Sequence, residues 1–357
     1  MPVPPWFEGA GLGLFLHWGI ASVAGVDLSW GGVKDRPWSP SNTDYTPDYQ
    51  DLAKQFDPQN YNPDHWLAAA RAAGMTYAIL TAKHHDGFTL WPSEYGEFGV
   101  KTYLPGRDLV AQFVQACRRQ NIKVGFYYSP PDWSHPDVGW PDVYKKWADF
   151  SARTDATDPA ELLAFERYYR YIKGQIRELM TRYGPIDIAW FDGNIWNASF
   201  DGRAAEIDRM VRRLQPNIVV GRGPFGDYAT HEPYNDQVAP DRPHEGPWEV
   251  CQSWHRCGGW GYYREEKFLD NATVLSRLAR IRAAGGNYLL NIGPKPDGEL
   301  PDAAYESLGQ LAAWMASNGP AIKDTVAGPW PARCSLPVTR RRGVWYVHVL
   351  QNHTGPI

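Results

Sequence analysis

The sequence is poor in several things, and each shortage closes a class of protein. Its 357 residues include only four cysteines, Cys117, Cys251, Cys257 and Cys334. None forms a CxxC pair, so neither a zinc site nor a small disulfide scaffold is spelled out, and free thiols are the expected state. No stretch reaches the uninterrupted apolar length of a membrane span. The opening MPVPPWFEGAG lacks the basic and apolar regions of a signal peptide. The expectation is a soluble chain, cytoplasmic as written, or secreted or periplasmic if a leader has been removed. Positive charge is not in excess: Lys and Arg total 36 against 40 Asp and Glu, a net charge of −4. With no basic run, neither nucleic acid nor an anionic membrane is an expected partner. No G-x-G-x-x-G follows an early strand, which disfavours a dinucleotide fold.

Aromatic residues, by contrast, are plentiful, with 17 Trp and 20 Tyr. Their flat apolar faces and polar edges suit ring-shaped, hydroxyl-rich ligands such as sugars, although a large core also consumes aromatics. The length and a 43% hydrophobic content are enough for one large core, or one large domain with a small appendage.

Short apolar runs alternate with amphipathic stretches. GLGLFLHWG, TYAILTAKHHDGF, IKVGFYYSPPDW, IDIAWFDG, NIVVGR, WEVCQSW and NYLLNIGP have strand character. DHWLAAARAAG, LVAQFVQACRRQN, residues 159–183, AAEIDRMVRRLQ, ATVLSRLARIRAAGG and residues 302–318 have helix character. Strands alternating with helices of ten residues or more imply a parallel sheet with helical crossovers. About seven such units fit an α/β (β/α)₈-like TIM barrel over residues 1–328. Beyond Pro329 the period-2 run VWYVHVL signals an antiparallel strand, so residues 329–357 are expected to be the start or remnant of a C-terminal β-sandwich.

The polar clusters follow the apolar runs: LFLHWG, AKHHDGF, FYYSPPDW, AWFDG, VVGR. They therefore sit at the C-terminal ends of strands, the active-site face of a barrel. Asp192, beside Trp190 and before Gly193, is a carboxylate at that lip, placed either to attack an anomeric carbon or to cap the next helix. His84 and His85 offer donors to vicinal hydroxyls. Adjacent strand residues face opposite sides, so the pair can share one metal ion only if the strand has already ended. His17, and the pair Tyr127 and Tyr128 in GFYYSPPDW, are lone polar groups on otherwise apolar strands, and together on one face they suggest a sugar pocket.

These segments, in order over residues 7–320, resemble the α-L-fucosidases of glycoside hydrolase family 29. KHHDGF and GGNYLLNIGP are the most specific matches. The resemblance implies a retaining exo-glycosidase that releases terminal α-L-fucosyl residues by double displacement, with no metal and no cofactor. Asp192 matches the nucleophile. His17, Trp30, His84, His85, Tyr127, Trp190 and Arg222 match sugar-binding positions. Glu232 is the preferred acid/base. Glu249 is the alternative, with a structural carboxylate as its other role, and Asp236 is a third candidate. Ser29 stands where many members carry an acidic residue before the Trp, which leaves the sugar itself open. A related sugar on the same fold, a metal-dependent barrel hydrolase using His84, His85 and Asp192, and a sugar-binding protein without activity are the rival readings. The expected partner is a carbohydrate substrate, and a homo-oligomer is left open.

Overall fold

The computed structural model describes residues 3–33, 45–137, 159–192, 201–221, 229–230, 246–265, 267–350 and 353–354. Eight strands form one sheet: β1 Leu12–Leu16, β2 Tyr77–Lys83, β3 Lys123–Tyr128, β4 Ile188–Phe191, β5 Val219–Gly221, β6 Ala229–Thr230, β7 Trp248–Ser253 and β8 Asn287–Ile292. Their spatial order is β5-β4-β3-β2-β1-β8-β7-β6, and every pairing is parallel. Read as a ring, the order is consecutive, which is that of a (β/α)₈-like barrel with β5 and β6 at the two ends of the sheet. The helices α1 Pro63–Ala72, α2 Leu109–Arg119, α3 Pro159–Arg182, α4 Asp201–Leu214, α5 Asn271–Ala283 and α6 Asp302–Asn318 pack outside it. Among the described residues no helix is long and apolar enough to cross a membrane.

Strands β1 to β5, β7 and β8 are buried on both faces, which is why they read as continuous apolar runs rather than as alternation. Their odd and even positions enter different cores. Phe15, Ile79, Tyr127, Ile188, Trp190, Val219, Cys251 and Leu289 fill the barrel interior. Leu14, Leu16, Ala78, Leu80, Phe126, Ala189, Val250 and Leu290 join the layer beneath the helices. Helix starts follow from side chains that satisfy the first free amides: Asn62 accepts from Asp64 N, Asp108 from Ala111 N and Asp270 from Thr273 N. At Gly13 a Cβ would lie 2.3 Å from the Tyr77 ring. Glycine there lets that ring cross the interior toward β7.

Downstream, β9 Val326–Ala327, β10 Val338–Arg341 and β11 Val344–Val347 form a three-stranded sheet. Both of its pairings are antiparallel, as the alternation in VWYVHVL predicts. Val344, Trp345 and Val347 of β11 stay exposed.

Candidate active site

The strands stop where their polar clusters begin. β1 ends at Leu16, immediately before His17; β2 ends at Lys83, immediately before His84; β4 ends at Phe191, immediately before Asp192. Because the strand has ended, His84 and His85 need not face opposite ways, and their ring centroids are 4.2 Å apart. A turn closed by Gly87 N–H donating to the His84 carbonyl (3.1 Å) holds them. Gly87, with φ +84°, is required there, since a Cβ would lie 2.2 Å from Asp132 Oδ1.

Asp192 is the centre of the cluster. Tyr127 Oη donates to its Oδ2 at 2.8 Å, and His85 Nε2 lies 3.7 Å from the same oxygen. Its side chain keeps 17% of its surface exposed, so a ligand can reach it. The Tyr127 ring is stacked on His84 (5.1 Å, 10°) and on Trp190 (5.4 Å, 21°), which fixes the direction of its hydroxyl. His17 closes the group, 5.6 Å from His84 and 5.4 Å from Tyr127 by ring centroids. Trp30 stands edge-on to His85 at 5.5 Å and to Trp133 at 4.9 Å.

Each histidine is backed by a buried polar side chain. His17 Nδ1 is 2.7 Å from Asn291 Oδ1, His84 Nδ1 is 2.6 Å from Ser29 Oγ, and His85 Nδ1 is 2.5 Å from Ser129 Oγ. Burial, then the neighbouring His85 and His17, push the His84 pKa well below the usual imidazole value, so its ring is neutral. Two buried aspartates flank the pair. Asp132 accepts from Lys83 Nζ at 2.9 Å and Tyr171 Oη at 2.6 Å. Asp86 accepts from Tyr49 Oη at 2.8 Å and Phe88 N at 3.0 Å.

The structure thus brings together His17, Trp30, His84, His85, Tyr127, Trp190 and Asp192. Trp190 is buried and supports Tyr127 from within the barrel. Glu249 is not brought to the lip. It is the second residue of β7, fully buried, and accepts from Tyr77 Oη at 2.5 Å and Trp190 Nε1 at 3.3 Å. At about 3.3 Å per residue it lies roughly 13 Å along the strand from Ser253 at the other end. Glu232, Asp236 and Arg222 lie outside the described residues. Sequence reasoning did not foresee Asn291, Ser129 and Trp133 at the site. Asn291 and Ser129 did carry a signal, as polar residues at or just past the ends of apolar strands. Ser29 was noted in sequence only for what it replaces, and its bond to His84 was not anticipated.

One ligand atom from each of His84, His85 and Asp192 lies within 4.8 Å of the others, a spacing that can hold a metal ion. The same groups can instead hold a sugar against a nucleophile. The family described as alpha-L-fucosidase matches residues 1–320. The chain belongs to the α-L-fucosidase family. As a member it is a glycoside hydrolase. It is 30% identical over 370 residues to the tissue alpha-L-fucosidase of Bos taurus, covering 97% of this chain and 72% of that protein. The solved structure of alpha-L-fucosidase isoenzyme 1 from Paenibacillus thiaminolyticus superposes with a TM-score of 0.80 at 33% identity, covering 99% of this chain and 84% of that one. A Bacteroides thetaiotaomicron family 29 alpha-L-fucosidase, solved as a trapped covalent intermediate in complex with 2-fluoro-fucosyl fluoride, superposes with a TM-score of 0.76 at 26% identity. That match covers 95% of this chain and 80% of that one.

Proposed function

We propose that this chain is a retaining exo-α-L-fucosidase, with Asp192 as its nucleophile. The observation that carries the reading is the Asp192 carboxylate, reachable at the barrel lip, oriented by Tyr127 and faced by His85. The covalent intermediate of the Bacteroides relative supports the retaining route. In that route Asp192 attacks the anomeric carbon of a terminal α-L-fucosyl residue. A carboxylic acid protonates the departing glycosidic oxygen, and an ester to Asp192 forms. The same group, now a base, then takes a proton from the water that cleaves the ester. Glu232 is the preferred acid/base, since Glu249 is engaged deep in the barrel by Tyr77 and Trp190. His17, His84, His85, Trp30 and Tyr127, with Arg222, would surround one sugar ring, with Trp190 behind Tyr127. A site that encloses one ring acts at chain ends and takes a carbohydrate substrate.

A panel of aryl glycosides that includes the α-L-fucoside tests this. Asp192→Ala should lower turnover by several orders of magnitude, and azide should restore part of it by attacking the exposed anomeric carbon. Substantial activity in Asp192→Ala removes the assignment. Preference for a galacto-configured glycoside would change the sugar and keep the mechanism. One observation, the spacing of His84, His85 and Asp192, favours a metal-dependent hydrolase instead. Activity lost on chelation and regained with a divalent ion would establish that alternative.

A further inference from the structure

The lip beside His17 is assembled from distant parts of the chain. His17 follows β1, Asn291 lies in β8, and Trp260 lies in the loop after β7. The Trp260 ring is tilted against the His17 imidazole, with centroids 5.0 Å apart and planes at 33°. It also meets Phe15 of the barrel interior at 6.3 Å, and it stays half-buried. A large aromatic ring in that place sets how much room is left beside His17. Residues 254–265 form no strand or helix, so single hydrogen bonds must hold the ring's loop. Ser253 Oγ donates to the Gly259 carbonyl at 2.5 Å, and Asn291 Nδ2 donates to the Trp260 carbonyl at 2.7 Å. The amides go to Asp27, 233 residues before Trp260: its Oδ1 accepts from Trp260 N at 3.0 Å and from Gly261 N at 3.2 Å. The same oxygen accepts from Leu28 N at 3.1 Å, and the Asp27 carbonyl accepts from Gly31 N at 2.9 Å. Asp27 thus belongs to the turn that presents Ser29 and Trp30. The two loops meet backbone to backbone, since a Cβ on Gly261 would lie 3.0 Å from the Val26 carbonyl oxygen.

We propose that Asp27 is a positioning residue: its carboxylate docks the loop after β7 onto the turn after β1, which fixes Trp260 against His17 and sets the width of the site there. Hydrogen bonds to a carboxylate are among the stronger ones available to a loop. Asn291 depends on the same dock, because the Trp260 carbonyl that orients its amide lies on the docked segment, and its Oδ1 backs His17 at 2.7 Å. The dock stands on the geometry; its effect on turnover rests on the functional reading above.

The test compares Asp27→Ala, Asp27→Asn and Trp260→Leu on an aryl α-L-fucoside, with circular dichroism as the check on folding. Asp27→Ala should lower kcat/KM by about 10–100-fold, the scale of a slight misplacement of site groups. The loss should sit in KM, with kcat within about threefold, as when binding common to substrate and transition state is removed. A merely structural role would do the reverse, since an unfolded fraction lowers kcat at unchanged KM, and that result overturns the proposal. Asp27→Asn keeps an oxygen for the amides and should recover most of the activity. Asp27→Ala added to Trp260→Leu should cost less than about threefold more, because the first acts through the second; full additivity of the two losses also overturns it. Should Asp27→Ala not fold, Asp27→Ser takes its place: a serine hydroxyl still serves the adjacent turn but is one bond too short for the other loop, so the same rise in KM is expected. A ¹H–¹³C spectrum of the histidine-labelled free protein reads the dock without substrate. The Trp260 ring current should displace the His17 ring resonances, a displacement lost in Asp27→Ala and kept in Asp27→Asn. Unchanged His17 resonances in Asp27→Ala refute the dock. If no fucoside is cleaved while the His17 displacement collapses as expected, the functional reading falls and the dock stands.

Discussion

Asp86 and Asp132 sit on two turns that meet around His84 and His85, and both are buried. Asp132 has a cation. Burial works against its charge, but Lys83, helped by the Tyr171 and Ser134 hydrogen bonds, outweighs it and holds the carboxyl below the usual carboxylate range. For Asp86 the dominant influence is burial itself, and hydrogen bonds from Phe88 N, Tyr49 and Ser29 only partly offset it. Its pKa is pushed up to about 6. Equal burial with opposite shifts shows that, at this lip, the partner rather than the depth decides the charge. One aspartate is a permanent anion that anchors the 129–134 turn. The other titrates near neutrality, next to the serine that backs His84.

The comparison breaks most sharply at Lys83. Lys83→Met leaves Asp132 buried without its counter-charge and should cost about 3–5 kcal/mol in urea unfolding. A loss below about 1 kcal/mol would mean that hydroxyls alone suffice for Asp132, and the contrast with Asp86 would vanish. Next comes pH. The Asp86 pKa in the folded chain lies above the unfolded value of 3.8, so the folded state holds a proton that the unfolded state has released. Its contribution to stability is present below about pH 4 and is lost as pH rises through about 6. The lost amount is on the order of 3 kcal/mol, from about two pKa units. Asp132 has the opposite sign: its contribution is present above the unfolded value and is lost only as pH falls through its depressed folded value. Subtracting the stability–pH curve of Asp86→Asn from that of the unsubstituted protein should isolate the fall between pH 4 and 6. A flat difference would show that Asp86 is ionised throughout, like Asp132.

Much of this architecture was legible in the sequence because it depends on local order. Apolar runs that end in LFLHWG, AKHHDGF and AWFDG place His17, His84 and Asp192 at strand ends, and the parallel sheet carries those ends to one lip. What backs each histidine was not legible. Asn291 is 274 residues from His17, Ser29 is 55 from His84 and Ser129 is 44 from His85. Only the strand order β3-β2-β1-β8 makes them neighbours. Lys83 stood out as part of a motif, yet nothing in its spacing announces Asp132 on the next strand's turn. Glu249 shows a different gap. Alternation in WEVCQS tells that Glu249 shares a face with Cys251 but not that it enters at the floor of the barrel, because depth is set by register with β8.

Glu249 is therefore where the smallest effect is expected. Its Oε2 accepts from Tyr77 and its Oε1 from the Trp190 indole at the long distance of 3.3 Å. In Glu249→Gln the amide oxygen still accepts from Tyr77, while the amide nitrogen faces the indole N–H and gives up the weaker bond. One such bond is worth about 1 kcal/mol. Trp190 remains stacked between the interior and Tyr127, so the hydroxyl that orients Asp192 should scarcely move. The expectation is activity within about threefold of the unsubstituted protein, equally on activated aryl fucosides and on substrates with poor leaving groups, since a group remote from the glycosidic oxygen donates no proton to it. A selective loss on poor leaving groups would instead mean that Glu249 reaches the leaving oxygen. The floor and the lip would then be one site, and Glu232 would lose the acid/base role.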